Sequence, residues 1–228
     1  MSTPTTRRSR ARRGSGDRLR DEILDAATDL LMRDGDVRAV SIRSVAQRVG
    51  VTPPSIYLHF ADKEALLEAV CGRYFEQLGE EVQRVIAGQT CTLDVLRAQA
   101  LALIRFATKA PEPFRTATMC ATKPGNEVDL ALTVAFGHMC QTVQLLMDEG
   151  IFAAGDPIVV TLELWTVAHG VAAMQTNKPY LPFGDTDAFA DRVITAVCMG
   201  QLIAGLAASD SEREQLGAWL VRRRGVRS

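Results

Sequence analysis

The stretch from residue 41 to residue 60, SIRSVAQRVGVTPPSIYLHF, allows few folds. Its apolar residues form two short helical patterns on either side of Gly50-Val51, and Pro53-Pro54 follows at once. Ser41 is placed to cap a first short helix with Val45, Ala46 and Val49 inward, and Gly50 to end it. Thr52 is placed to cap a second, with Pro53 at the first helical position, where a missing N–H costs nothing. Two short helices joined at a glycine form a helix-turn-helix. The second helix of that motif enters the DNA major groove by its N-terminal end. Its capped terminus is expected to direct free N–H groups at phosphate. Thr52, Ser55, Tyr57 and His59 offer hydroxyls, a ring and an imidazole to phosphates and base edges.

Helical periodicity continues along the chain. Ile23, Ala26, Ala27, Leu30 and Leu31 form one apolar stripe, with Gly35 as a stop. Asp62 is placed to cap a long helix through Leu66, Leu67, Val70, Tyr74 and Leu78. Later helices open at Thr92, at Pro111, near Val128, at Asp156-Pro157 and at Asp185. Ser209 and Glu212 have the spacing of a capping box for a last helix. Alternating strand patterns are absent. The fold class is therefore all-α: an N-terminal three-helix helix-turn-helix domain, then a longer α-helical domain. The expected boundaries are a disordered basic arm over 1–17, the helix-turn-helix domain over 18–64 and the C-terminal domain over 65–228.

Charge follows the same division. The first sixty residues hold eleven arginines against seven acidic residues, and the remainder holds fifteen basic against twenty acidic. A basic front and an acidic back suit a nucleic-acid module joined to a part that avoids nucleic acid. No apolar run is read as long enough for a membrane span, and no secretory signal follows the arginines, so the expected location is the cytoplasm. The five cysteines, Cys71, Cys91, Cys120, Cys140 and Cys198, lack a CxxC pattern. As small buried hydrophobes they need no role. The rival is a thiol- or metal-responsive site built from Cys120, Cys140 and His138. No catalytic pair, phosphate-cradling glycine loop or metal motif stands out, and no cofactor is expected.

Residues 18–67 resemble the N-terminal domain of the tetracycline-repressor (TetR) family of bacterial transcription regulators. The likeness rests on ILDAATDLL at 23–31, Gly35, Ser41, Val45-Ala46, Gly50-Val51-Thr52, Ile56-Tyr57, His59-Phe60 and the run Asp62 to Leu67. It implies that Tyr57 and His59 touch the DNA backbone, Tyr57 near a thymine methyl, and that Lys63 pairs with a phosphate. It places Arg43 where some relatives read a base, and Thr52, Pro53, Pro54 and Ser55 where the family varies its sequence choice. The two prolines leave few polar side chains there, which shifts base reading to Arg43 and Ser55.

Beyond residue 70 one short stretch, Leu164 to Gly170, resembles the Trp-x-x-x-His-Gly signature of a TetR C-terminal domain type. On a helix its Trp165 and His169 share a face. Many small residues punctuate 157–177 and 186–208, among them Ala168, Ala172, Ala190 and Gly200. The resemblance implies that these two helices pair with their mates in a homodimer, which a single helix-turn-helix needs to grip two half-sites of an operator. A pocket for a small apolar or aromatic effector is expected among the middle helices. Its candidate lining is Tyr74, Leu103, Phe106, Phe114 and Met119, with Phe136, His138, Met139, Trp165 and His169. Each is also an ordinary core residue by type.

Overall fold

The computed structural model describes residues 15–34, 37–119, 127–204 and 210–223. Among these residues it has ten α-helices, a 3-10 turn and no strand. The helices are α1 Ser15–Asp34, α2 Ile42–Val49, α3 Pro53–Tyr57, α4 Lys63–Ile86 and α5 Thr92–Lys109. They continue with α6 Pro111–Met119, α7 Glu127–Asp148, α8 Pro157–Asn177, α9 Thr186–Ala204 and α10 Asp210–Arg223.

The chain forms two compact units, one of Met1–Gln77 with Lys109–Thr133, the other of Leu78–Thr108 with Val134–Ser228. This division differs from the expected boundary at 64/65. α6 packs against α1 and buries Phe114, Thr116 and Ala117, so a segment far along the chain joins the first unit. The basic arm also shortens, because α1 begins at Ser15. The rest of the arm, Gly35, Cys120 and the Ser209 cap lie outside the described residues.

In the first unit α1 is the spine. Its expected stripe of Ile23, Ala26, Ala27, Leu30 and Leu31 is buried. Val45 and Ala46 of α2, Ile56 of α3 and Phe60 close over it. Ion pairs then tie neighbouring helices to the same spine: Arg48 to Asp29 at 2.7 Å and Arg73 to Asp25 at 2.9 Å. Arg20 lies over the Phe60 ring, 5.3 Å from its centroid. Such exposed pairs contribute at most about 1 kcal/mol each, so the apolar core dominates.

The caps around the turn are unequal. Ser41 and Ser44 form a reciprocal box, with the Ser44 N–H donating to Ser41 Oγ at 3.1 Å and the Ser41 N–H to Ser44 Oγ at 2.9 Å. Gly50 ends α2 in the left-handed region at φ 77°, where a side chain would be strained. Thr52 keeps the extended cap backbone, but its side chain caps no N–H, contrary to expectation. Its hydroxyl instead meets Ser55 Oγ at 3.1 Å.

In the second unit α5 buries Leu96, Ala100, Leu101, Leu103 and Ile104. Arg97 of α5 donates to Asp191 of α9 at 2.7 Å, and Gln175 of α8 donates to the Thr186 carbonyl at 2.8 Å. Asp156 caps α8 through the Ile158 N–H at 2.9 Å. α8 corrects one expectation: over its 21 residues it is long and apolar enough to span a membrane by length and composition. Thr161, Leu164, Ala168 and Ala172 bury one face, while Ile158, Val159, Leu162 and Met174 stay exposed. Glu163 accepts a hydrogen bond from Gln201 at 2.6 Å.

The cap geometry generates a contrast. Ser41→Ala removes a used cap and is expected to cost about 1 kcal/mol. Thr52→Ala, at an exposed residue that caps nothing, is expected to stay within about 0.5 kcal/mol of the parent. Urea unfolding of both variants checks the difference.

Candidate nucleic-acid interface and ligand cavity

The first candidate site is the surface formed by α2, α3 and the front of α4. α3 has only five residues and presents its outer face because Ile56, fully buried, holds its inner one. Tyr57 is 54% exposed, and Arg43, Thr52 and Pro54 are exposed beside it in the sequence order of the motif. Pro53, Ser55 and His59 are half-buried. Arg43, Tyr57 and His59 make no side-chain hydrogen bond or ion pair among the described residues, whereas Arg48 is engaged with Asp29.

Two details depart from the sequence reading. The front of α3 does not offer the expected free N–H groups. Pro53 and Pro54 have none, and the Ser55 N–H donates to the Thr52 carbonyl at 2.9 Å. Contact with an anion therefore falls to side chains. Lys63 is half-buried, and its Nζ donates to the Val37 carbonyl at 2.9 Å. An ammonium has three donors, so this bond orients Lys63 and leaves two for a phosphate. Leu58, not singled out in the sequence, is 85% exposed. Its signal was an apolar residue beside Tyr57 that no core period requires.

The second candidate site is a cavity wholly inside the second unit. Leu78, Gly79 and Val82 of α4 form one wall, and Gln99 and Leu103 of α5 another. Ala135, His138 and Met139 of α7 and Trp165 of α8 complete it. It offers about 20 Å³ to the centre of a water molecule, roughly room for one water. A larger ligand must widen it.

The candidate pocket residues divide accordingly. Leu103, His138, Met139 and Trp165 line this cavity. Phe136 stands edge-on to Trp165, with centroids 5.7 Å apart. His169 stacks beside Trp165 at 4.8 Å, and its Nδ1 donates to the Trp165 carbonyl at 3.0 Å. Tyr74 and Phe114 are not gathered there: both are buried in the first unit, where burial pushes the Tyr74 hydroxyl pKa up. Phe106 is half-buried in the second unit and is not part of the cavity wall. Met119 ends α6 in the first unit, and its side chain lies outside the described residues. The sequence reading missed Gln99. Its signal was a lone uncharged polar residue in the run Ala98 to Ile104.

The described cysteines give no support to a redox or metal site, and Cys120 lies outside the described residues. Among the described residues no three His, Cys, Asp or Glu side chains are grouped to hold a metal. Cys71 and Cys198 are buried, and burial pushes the Cys198 thiol up to about 11, against the pull of Arg97. A thiol held protonated is a poor nucleophile. Cys140 is half-buried, and the neighbouring His138 Nδ1 faces Gln83 Nε2 at 3.4 Å.

Comparisons with known proteins agree on both halves. Residues 23–70 match the family described as bacterial regulatory proteins, tetR family, and residues 96–197 match the tetracyclin repressor-like C-terminal domain. The nucleoid occlusion factor SlmA of Aliivibrio fischeri is 28% identical over 108 residues, 47% of this chain and 55% of that protein. The nicotine-responsive transcriptional repressor HdnoR of Paenarthrobacter nicotinovorans is 29% identical over 69 residues, 30% of this chain and 35% of that protein. The chain thus spans about half or less of the length of these relatives. A protein of unknown function from Rhodococcus sp. RHA1 shares the fold, with a TM-score of 0.73 at 22% identity over 88% of this chain and all of that one.

Burial lowers the His169 pKa, against the opposing pull of its bond to the Trp165 carbonyl. A group whose folded pKa lies below the unfolded value of about 6.5 stays neutral in the native state while the unfolded chain takes up the proton. Its contribution is therefore complete above about pH 6.5 and is lost as pH falls below that value. Urea unfolding at pH 7.5 and 5.5 is expected to show this loss in the parent and a smaller one in His169→Gln.

Proposed function

The chain belongs to the TetR family of bacterial regulatory proteins, and from that premise we propose that it is a cytoplasmic transcriptional repressor. It grips an operator as a two-fold dimer and is released by a small apolar or aromatic ligand. The observation that carries this reading is the pairing of an outward-facing Arg43–Tyr57 surface in one unit with an apolar, aromatic-walled cavity in the other. One relative is a nicotine-responsive transcriptional repressor, which supports a small-molecule effector.

Each element has a task. Arg43 reads a base edge, Tyr57 and His59 fix the backbone, and Lys63, oriented by Val37, meets a phosphate. The exposed apolar face of α8, Ile158, Val159, Leu162 and Met174, packs on a second copy. A helix apolar on all sides needs cover on all sides. The ligand acts by binding better to a conformer that holds the operator poorly, and its effect cannot exceed that difference in affinity. No catalytic step is assigned to the chain.

Arg43→Ala is expected to flatten the preference among single-base operator variants, with a loss of about 1–3 kcal/mol of discrimination at one position. Lys63→Ala is expected to weaken all sites alike and to reduce the salt slope by about 1. Fluorescence anisotropy titrations at several salt concentrations separate the two. Leu162→Arg is expected to shift sedimentation from dimer to monomer; a dimeric variant would place the interface elsewhere.

A further inference from the structure

One residue of the cavity wall, Gln99, carries a buried polar atom that the protein leaves unanswered. Gln99 is 3% exposed, and its Oε1 is buried without a hydrogen-bond partner. The other end of the amide, Nε2, donates to Thr142 Oγ at 3.1 Å. That orientation follows from the next bond. Thr142 Oγ lies 3.1 Å from the His138 carbonyl, which can only accept. The single hydroxyl proton of Thr142 is therefore spent, and its oxygen can only accept from Gln99. Nitrogen must face Thr142, and the carbonyl oxygen is left over.

A buried acceptor without a donor is disfavoured, and native cores seldom keep one. The room in the cavity for about one water is enough to satisfy it between binding events. A ligand that displaces such a water gains only if it reproduces the bond. No Lys or Arg lines the cavity, and an ionised carboxylate has no proton to donate to Gln99 Oε1. The remaining wall is mainly apolar, with Leu78, Val82, Leu103, Met139 and the Trp165 ring.

We propose that the effector is an uncharged aromatic or alicyclic molecule carrying one hydroxyl or N–H group, which donates to Gln99 Oε1. This rests on the reading of the cavity as the ligand site and adds the polarity that the ligand must have there. Thr142 is a positioning residue, since it fixes which end of the amide the ligand meets. Gly79 leaves space: a Cβ built on it meets nothing within 4 Å.

The test compares p-cresol with p-fluorotoluene, rings of similar size of which only the first has a donor, by calorimetric titration into the full chain. The parent is expected to bind p-cresol about tenfold or more tightly. Gln99→Met is expected to erase that preference. Thr142→Val frees the amide to turn and is expected to narrow it, with circular dichroism confirming the fold of each variant. Gly79→Leu fills the space and is expected to abolish binding of both probes. Equal binding of the two probes by the parent would overturn the donor requirement while leaving the cavity reading intact. Binding of p-cresol undiminished in Gly79→Leu, or no binding of either probe by the parent, would overturn the cavity as the site.

Discussion

The side chain of Ile56 holds the short helix α3, and the surface it shares with α2, in place. Five residues make little more than one helical turn, and a turn that short does not persist in water, because its nucleation is not repaid by further hydrogen bonds. α3 exists because Ile56 is fully buried against α1 and α2 and because Phe60 anchors the chain just after it. Everything proposed for Arg43, Tyr57 and His59 depends on that anchorage. Truncating Ile56 would let the surface drift without touching any residue that faces outward. The two prolines serve the same end, since they limit the backbone of a segment that would otherwise fray.

The second unit solves a different problem. Its core is apolar, yet α5 carries Gln99 into it, and the chain Gln99–Thr142–His138 leaves the buried Gln99 Oε1 without a partner. A buried network left incomplete is costly unless something completes it. The first unit shows no such gap at its turn, where Ser41, Ser44 and Ala39 use each other's donors and acceptors. The two halves thus differ in what they leave open: the α2–α3 surface has exposed side chains, and the second unit has a buried acceptor without a donor.

Much of this was legible in the sequence where local chemistry decides. Asp62, Asp156 and Asp185 cap the helices their positions suggested, and the apolar stripe of α1 is the buried one. Thr52 was misread because its hydroxyl had a competing partner three residues away in Ser55. The loss of N–H donors at α3 was in principle visible in Pro53-Pro54. Grouping of the pocket residues was not legible. Tyr74 and Leu78 lie one turn apart on α4, yet one is buried in the first unit and the other lines the cavity of the second. Which unit a helical turn joins is set by what returns to pack on it, here α6 upon α1, and periodicity carries no such information. Gln99 was passed over for a related reason: a single polar residue in an apolar run is unremarkable until its hydrogen-bond partners are known.

The most direct test of the account is selection of operator DNA from a random pool by the full chain, with the footprint and stoichiometry of the winning sequences. A two-fold dimer reading through α3 should enrich an inverted repeat, with half-site centres separated by a whole number of helical turns, about 10 base pairs each. Two chains should bind each such site. Failure to enrich any sequence, or enrichment of a single unrepeated site bound by one chain, would contradict it.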